Sequence, residues 1–196
     1  MKTVAFFNNI HSSSIWHRLV APLREEGVRL LPFGFGEHDA FVERIASGEI
    51  DILITSVSGE MPGFRELYET MLRVPVRVGL DAGLPEQFST CSAAELERLR
   101  GYFSVLSKEN FHNGLRRLAG LEHLPCKEVR TSGIFHPDAG RMFGSVQEYL
   151  AWLEDEGRFS PAAPVAGVIM HYNQLAEDNH ADILPKIGRA SCRERV

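Results

Sequence analysis

The sequence predicts an α/β protein that begins with a small doubly wound parallel sheet of the Rossmann or flavodoxin kind. Short apolar runs alternate with amphipathic segments over residues 1 to about 90, and this alternation implies right-handed crossovers between parallel strands. The runs are apolar and β-branched, as expected of strands covered by helices on both faces. Glycine or polar residues separate the segments, as turns require. Added helices and the start of a second α/β domain follow.

Four apolar runs are the predicted strands of this sheet, and three amphipathic segments connect them. Ser13 or Ser14 caps the first helix, Pro22 predicts a kink in it, and Gly27 ends it. The predicted strands are Thr3–Phe7, Val28–Phe33, Ile50–Val57 and Val76–Asp81, and the later helices of this part are His38–Ser47 and Met61–Arg73.

Helices replace strands after Pro85. The segments Ser92–Leu106 and Ser107–Leu121 place leucine and phenylalanine at helical spacing, and Ser92 and Glu95 have the spacing of a capping box. We expect both helices to pack back on the sheet, which makes residues 1–125 one head domain. Residues 126–163 then contain a loop (Pro125–Arg141), a short helix (Val146–Glu154) and a linker (Gly157–Pro164), and a strand at Val165–His171 begins a second α/β domain over residues 164–185.

The last eleven residues, 186–196 (KIGRASCRERV), match the translation of a common DNA-sequencing adapter residue for residue. The alternative is a basic, disordered tail that binds nucleic acid. A match of this length favours the adapter, so the tail is excluded from the fold. Without its four basic residues and one acidic residue, the net charge changes from −5 to −8. We therefore expect an acidic chain whose second domain is cut short and continues beyond Pro185 in the native gene.

Composition favours a soluble, cytoplasmic protein. Hydrophobic residues make up 44% of the chain, which is typical of a globular protein, and an acidic chain without a basic stripe argues against nucleic acid and anionic membranes. The sequence lacks an apolar run of the roughly 20 residues that span a bilayer and lacks the pattern of a signal peptide. Cys91 and Cys126 have no metal or redox spacing, so we expect two free thiols.

Two polar loops follow predicted strands and are expected at the carboxyl edge of the sheet, where open parallel sheets bind ligands. They are residues Asn8–Ser14 and Thr55–Glu60, and together they frame a cleft. The sequence has no glycine-rich nucleotide loop, and a helix cap is the favoured role of the first loop. A small hydrolase that uses Ser56 or Ser58 is a third-ranking hypothesis, because no G-x-S-x-G pattern activates either serine.

Two groups of histidines are candidates for a site. We expect His136 and Asp138, on either side of a proline, to fix their loop by hydrogen bonding rather than to act in catalysis. His171, Asn173, Asn179 and His180 surround the end of the Val165 strand, where a ligand site and a polar helix-capping loop are about equally expected. No third ligand stands at defined spacing, so the sequence predicts no metal site.

Three segments together resemble one known family. They are Ser132–Asp138 (SGIFHPD), Phe143–Trp152 (FGSVQEYLAW) and Pro164–Met170 (PVAGVIM), and the helix Lys108–Leu121 is similar to a family element as well. The chain resembles the large subunit of aerobic cobaltochelatase and the H subunit of magnesium chelatase over about residues 108–183. Residues 1–107 are compatible with the variable head of that family.

The resemblance implies that the chain is the N-terminal part of a much larger subunit that binds a tetrapyrrole and inserts a metal. Cobalt insertion in cobalamin biosynthesis is favoured over magnesium insertion in chlorophyll biosynthesis. ATP and Mg²⁺ would be used by two AAA-type ATPase partner subunits, and this fragment would bind no cofactor. No residue is carried over as catalytic, since those residues would lie beyond Pro185; the candidates to face the tetrapyrrole are His171, Asn173, Asn179 and His180. We expect the fragment alone to be inactive.

One alternative from a different class of protein remains open. The layout of residues 1–90 also fits a non-enzymatic α/β module that binds a small ligand or a cobalamin-like molecule. Ligand binding by the head domain alone would favour this alternative, because the family resemblance is concentrated in later residues.

Overall fold

A computed structural model describes residues 1–8, 14–57, 63–81, 84–160, 169 and 171–172 of the chain. The chain divides into two compact units, Met1–Lys127 and Glu128–Val196. The predicted head domain ended at residue 125, and the first unit ends two residues later.

The first unit contains a four-stranded sheet in which all neighbouring strands are parallel. The strand order is β2-β1-β3-β4. The first strand is therefore internal, with β2 on one side of it and β3 and β4 on the other. This is the doubly wound arrangement that the sequence predicts. The strands are β1 (Lys2–Asn8), β2 (Val28–Phe33), β3 (Ile52–Ser56) and β4 (Val76–Gly79).

Helices cover both faces of the sheet because alternate residues of each strand are buried on opposite sides. Val4 and Phe6 of β1 belong to one core, and Ala5 and Phe7 belong to the other. The first core packs against α1 (Ser14–His17), α2 (Val20–Glu25), α5 (Ala93–Phe103) and α6 (Lys108–Ala119), and the second packs against α3 (His38–Ala46) and α4 (Phe64–Met71).

The first predicted helix is divided into α1 and α2, and the break lies one turn before Pro22. Proline has no N–H to donate and its ring crowds the carbonyl four residues earlier, which is that of Arg18. The chain accordingly leaves α-helical geometry at Arg18 and Leu19, where the Leu19 N–H bonds to the Trp16 carbonyl at 3.0 Å. The predicted kink is therefore present, displaced toward the N-terminus. Gly27 follows α2 with φ +81°, as a helix-ending glycine does.

Serine side chains begin both helices that follow the sheet. The Ser92 Oγ accepts from the Glu95 N–H at 3.2 Å, and the Ser107 Oγ accepts from the Asn110 N–H at 3.3 Å. These contacts satisfy N–H groups that have no partner within the helix. The two helices approach closely at Gly114, where an added Cβ would lie 2.8 Å from the Tyr102 Cβ.

The second unit contains a short antiparallel hairpin that the sequence analysis treated as loop. Its strands are β5 (Ile134–His136) and β6 (Arg141–Phe143), and α7 (Val146–Asp155) follows. The predicted loop over residues 125–141 is wrong in this part. Three-residue strands carry too little alternation to be recognised, and the hairpin depends on Gly140, whose φ of +61° makes the turn.

Most of the predicted second domain lies outside the described residues. Ile169 and His171 are described, and neither belongs to a strand. The strand predicted at Val165–His171, the domain over residues 164–185 and the adapter tail over 186–196 stay predictions.

Candidate functional site

A cavity opens at the carboxyl edge of the sheet in the first unit, and it is the candidate ligand site of this unit. Asn8 at the end of β1 and Ser56 at the end of β3 line it side by side, because these two strands are neighbours in register. The cavity has a volume of about 60 Å³. Its other lining residues are apolar: Phe6, Trp16, Leu80, Phe103, Leu106 and Phe111.

The position of this cavity follows from the topology. The connection from β1 leads to β2 on one side, whereas β3 lies on the other side. Between β1 and β3 the chain reverses direction across the sheet, and doubly wound sheets bind their ligands in the crevice at this point. The polar residues after β1 and β3 predicted a cleft at this edge of the sheet. Asn9–Ser13 and Ser58–Glu60 of those loops lie outside the described residues.

Ser56 is the polar centre of the cavity wall. It is 7% exposed, and its Oγ–H donates to the Asp81 carboxylate just beyond β4. The Leu80 N–H donates to the Thr55 carbonyl at 2.9 Å and keeps the chain after β4 beside β3. With its proton directed at Asp81, the Ser56 oxygen is left with acceptor lone pairs. The eight lining residues include no imidazole that would activate this serine as a nucleophile.

The opposite face of β3 carries a second polar side chain, that of Thr55. Thr55 is fully buried, and within the described part of the chain its Oγ1 has no hydrogen-bond partner. Leu53 of β3 and Val57, the residue just after the strand, belong to the core on the α3 and α4 side. Thr55 therefore points away from the cavity and adds nothing to it.

An ion pair joins α5 to α6, the two helices that contribute Phe103 and Phe111 to the cavity wall. Arg117 donates to both carboxylate oxygens of Glu95, at 2.5 and 2.6 Å. These hydrogen bonds lower the pKa of Glu95 and raise that of Arg117. Arg117 also donates to the Nε2 of His123 at 2.8 Å, while the Nδ1 of His123 lies 3.1 Å from the Leu121 carbonyl. Because a guanidinium can only donate, the Nε2 of His123 is the acceptor in this contact.

Two buried asparagines of α6 hold the chain as it leaves the first unit. The Asn110 amide donates to the Lys127 carbonyl at 2.8 Å and accepts from the Lys127 N–H at 2.9 Å. One turn later, Asn113 accepts from the Leu124 N–H at 2.9 Å. The sequence analysis did not single these residues out. Their signal was present, since two amides three residues apart lie on one side of a helix.

His136 and Asp138 of the second unit lie within the turn of the hairpin. The Asp138 N–H donates to the His136 Nδ1 at 3.2 Å, and the Asp138 carboxylate pairs with Arg158 at 2.6 Å. The His136 ring lies 4.9 Å from the ring of Trp152 in α7. Both side chains thus contact neighbours within the second unit, and their role in the protein stays a prediction.

The residues predicted to face a tetrapyrrole are described only in part. His171 is exposed, and Asn173, Asn179 and His180 lie outside the described residues. Burial raises the pKa of the neighbouring Tyr172 hydroxyl. The predicted cluster therefore stays a prediction.

Metal-binding clusters and membrane-spanning helices are both absent from the described part of the chain. Within it, no group of three or more His, Cys, Asp or Glu side chains is arranged to hold a metal ion. No helix in the same residues is both long and apolar enough to cross a bilayer.

A family model and a solved structure are similar to parts of this chain. A family model described as CobN/Magnesium Chelatase matches residues 100–190. The catalytic subunit of cobaltochelatase from Mycobacterium tuberculosis has a similar structure, with 16% identity and a TM-score of 0.44 over 69% of this chain. This chain spans 12% of the length of that subunit. The comparison with curated proteins found no match to this sequence.

The matched residues begin in α5 and include α6, the hairpin and α7. They contain the segments at 108–121, 132–138, 143–152 and 164–170 that carry the resemblance seen in the sequence. The resemblance to the CobN/magnesium chelatase family is therefore confirmed over residues 100–190.

Proposed function

We propose that this chain is part of the large subunit of a tetrapyrrole metal chelatase, with cobalt favoured over magnesium as the inserted metal. The family match over residues 100–190 is the observation that carries the proposal. The matched residues form ordered structure in both units, from α5 to α7. They are therefore a structural segment of the family and not an isolated sequence motif.

The chemistry of the reaction defines what the complete subunit must do. A metal ion replaces two protons of the tetrapyrrole nitrogens and loses bound water as it enters the ring. A cleft that excludes water and holds the ring in a distorted shape suits such a step. In this proposal AAA-type partner subunits bind ATP and Mg²⁺ and hydrolyse the nucleotide, and the large subunit holds the tetrapyrrole.

His171, Asn173, Asn179 and His180 are the residues of this chain proposed to face the tetrapyrrole. Neutral imidazoles accept protons near neutral pH, and asparagine amides can donate to and accept from groups at the edge of the ring. No residue of the chain is proposed as catalytic.

The test is metal insertion by the product of the uninterrupted gene, together with its ATPase partners. We expect ATP-dependent incorporation of Co²⁺ into a metal-free corrinoid, followed by absorbance, and slower incorporation of Mg²⁺ into a porphyrin. The chain of 196 residues alone should incorporate neither metal. Failure of the complete protein with both metals and both rings would refute the proposal, and faster magnesium insertion would refute the preference for cobalt.

A matched pair of variants tests the proposed tetrapyrrole-facing residues. The change His171→Ala in the complete protein should weaken tetrapyrrole binding in an absorbance titration. His38 is a half-buried histidine at the start of α3 in the first unit, so His38→Ala should leave binding unchanged. Equal effects of the two changes would remove His171 from the site.

The second candidate function is a small-ligand module formed by the first unit, and the cavity beside Ser56 favours it. A volume of about 60 Å³ is less than half that of the roughly 150 Å³ cavity that binds benzene in an engineered protein. A flavin or a corrin ring therefore does not fit inside. Titration of residues 1–125 with flavin, cobalamin and a metal-free tetrapyrrole separates the candidates: a spectral change with this part alone would favour the module over the chelatase proposal, although such a ring would have to bind outside this cavity.

A further inference from the structure

The cavity beside Ser56 has a mostly apolar lining, and this character decides what it can bind, independently of the chelatase function. Six of its eight lining residues are apolar, and four of these six are aromatic. They come from the sheet and from helices on one of its faces. The six apolar residues are Phe6, Trp16, Leu80, Phe103, Leu106 and Phe111.

The indole ring of Trp16 is the centre of the aromatic wall, because it contacts the other three rings. Its centroid lies 3.5 Å from that of Phe6, 4.9 Å from that of Phe111 and 5.6 Å from that of Phe103. Rings in such contact offer a neighbouring molecule many dispersion contacts and little hydrogen bonding. A ligand of this wall is therefore held by apolar contact.

The two polar residues of the lining have partners within the protein, so neither requires a polar ligand. Ser56 is 7% exposed, and its Oγ–H donates to the Asp81 carboxylate. Asn8 is 3% exposed and also interacts with another group of the protein. The eight lining residues include no charged side chain. An ion in the cavity would lose its hydration without meeting an opposite charge, which is unfavourable.

The volume limits the size of the ligand. An apolar cavity of roughly 150 Å³ holds benzene, which corresponds to about 25 Å³ for each carbon atom. By this ratio the volume of about 60 Å³ holds two or three non-hydrogen atoms. Water is small enough to enter as well, but it would find few hydrogen-bond partners among six apolar side chains, and cavities lined in this way stay dry.

We propose that the cavity at the ends of β1 and β3 is a binding site for a small apolar molecule of two or three non-hydrogen atoms. Trp16 and the three phenylalanines hold the molecule by dispersion contacts, and Leu80 and Leu106 limit its length. The molecule fills space between the sheet and the pair α5 and α6, so its binding stabilises the folded first unit.

The experiment follows the ¹⁵N-bound indole proton of Trp16 by NMR in the full chain, with its signal assigned by comparison with Trp152→Phe. The probes are ethane, propane and butane dissolved under pressure, and ethanol, which has as many non-hydrogen atoms as propane. Propane should bind about fourfold more tightly than ethane, the ratio produced by one buried methylene group. Butane should gain nothing over propane, because the cavity is then full. Ethanol should bind at least about tenfold more weakly than propane, because its hydroxyl loses hydration among apolar side chains.

Two variants and one control test the assigned walls. Leu106→Phe fills the cavity and should abolish the propane-induced shift. Leu80→Ala removes three carbon atoms from the wall and enlarges the cavity, so butane should bind this variant more tightly than it binds the parent. Leu72 is an exposed leucine after α4 and lies outside the lining, so Leu72→Ala should leave propane binding unchanged. Propane should also raise the thermal midpoint of the parent and of Leu72→Ala, but not that of Leu106→Phe.

Three results would overturn the proposal. The first is the absence of a Trp16 shift with all three hydrocarbons, which means that the cavity holds only water. The second is ethanol binding as tightly as propane. The third is unchanged propane binding by Leu106→Phe, or unchanged butane binding by Leu80→Ala, while thermal unfolding shows that the variant is folded. Each of these results leaves the chelatase proposal untouched, because that proposal depends on the family match and on metal insertion.

Discussion

The close approach of α5 and α6 predicts that replacing Gly114 by alanine destabilises the first unit, although alanine favours helix. An added Cβ at this position would lie 2.7 Å from the Phe103 Cζ and 2.8 Å from the Tyr102 Cβ. The Tyr102 Cβ is attached directly to the backbone of α5 and cannot rotate away. The helices must therefore separate by a few tenths of an ångström, or the phenylalanine must leave its place beside Trp16 and Phe111.

Two terms of opposite sign set the size of the effect. Glycine to alanine inside a helix gains about 1 kcal/mol of folding free energy, and overpacking a well-packed contact costs about 1–3 kcal/mol. We expect a net loss of about 1 kcal/mol in Gly114→Ala. Gly101 in α5 is the matched control, because it is exposed and an added Cβ there meets no atom within 4 Å. Gly101→Ala should gain stability, by up to about 1 kcal/mol.

The assay is urea unfolding followed by tryptophan fluorescence, with Trp152→Phe as the common background so that Trp16 in the first unit is the reporter. The free energy of unfolding should fall in Gly114→Ala and rise in Gly101→Ala, with similar dependence on urea concentration. If Gly114→Ala equals or exceeds the parent in stability, the two helices do not pack as closely as described, and the reasoning from this contact is wrong.

Three further predictions concern other parts of the chain. Thr55→Val should raise the free energy of unfolding by about 1 kcal/mol, because it removes a buried hydroxyl without a partner in the described residues and keeps the shape of the side chain. If urea unfolding instead shows a fall of about 1 kcal/mol, the hydroxyl is hydrogen-bonded in the folded protein. The hydrogen bonds from Arg117 hold the pKa of Glu95 below its ordinary value of 4.5, so their stabilisation is present above pH 4.5 and is lost as the pH falls through the lowered folded-state pKa. Glu95→Gln should therefore lose less stability than the parent between pH 6 and pH 3 in the same assay, and equal losses would contradict this. Genomic sequencing should show a different sequence in place of residues 186–196, and the same last eleven codons in the genome would refute the adapter origin.

The layered architecture was predictable because its signals are local and strong. The strands at Thr3, Val28, Ile50 and Val76 were placed within about two residues, since each is an apolar run bounded by turn residues. The break in the first helix was predicted at Pro22 and occurs near Arg18, because proline acts on the carbonyl four residues earlier. Helix ends without a strong cap were the least accurate, as with α4, which begins after Gly63 rather than at Met61.

The contacts that depend on distant residues could not be obtained from the sequence. Ser56 was recognised as a polar residue after a strand, but its partner Asp81 is 25 residues away and is brought near only by the parallel pairing of β3 and β4. The pairing of Asn110 with Lys127 likewise depends on the path of the chain after α6. The short hairpin at Ile134–Phe143 was missed because its two strands are too brief to show a period.

The order in which the two faces of the sheet are covered has a consequence for synthesis of the protein. Every element of the α3 and α4 face has been made once Phe88 has left the ribosome, whereas the other face waits for Phe111, Leu115 and Ala119. Since chains emerge at about 5–20 residues per second, β1 has a bare side for a second or more after its neighbours have paired with it. During that interval Phe6 and Trp16 are the surface that a nascent chain offers to chaperones, and a product that stops before α6 would keep that surface exposed permanently.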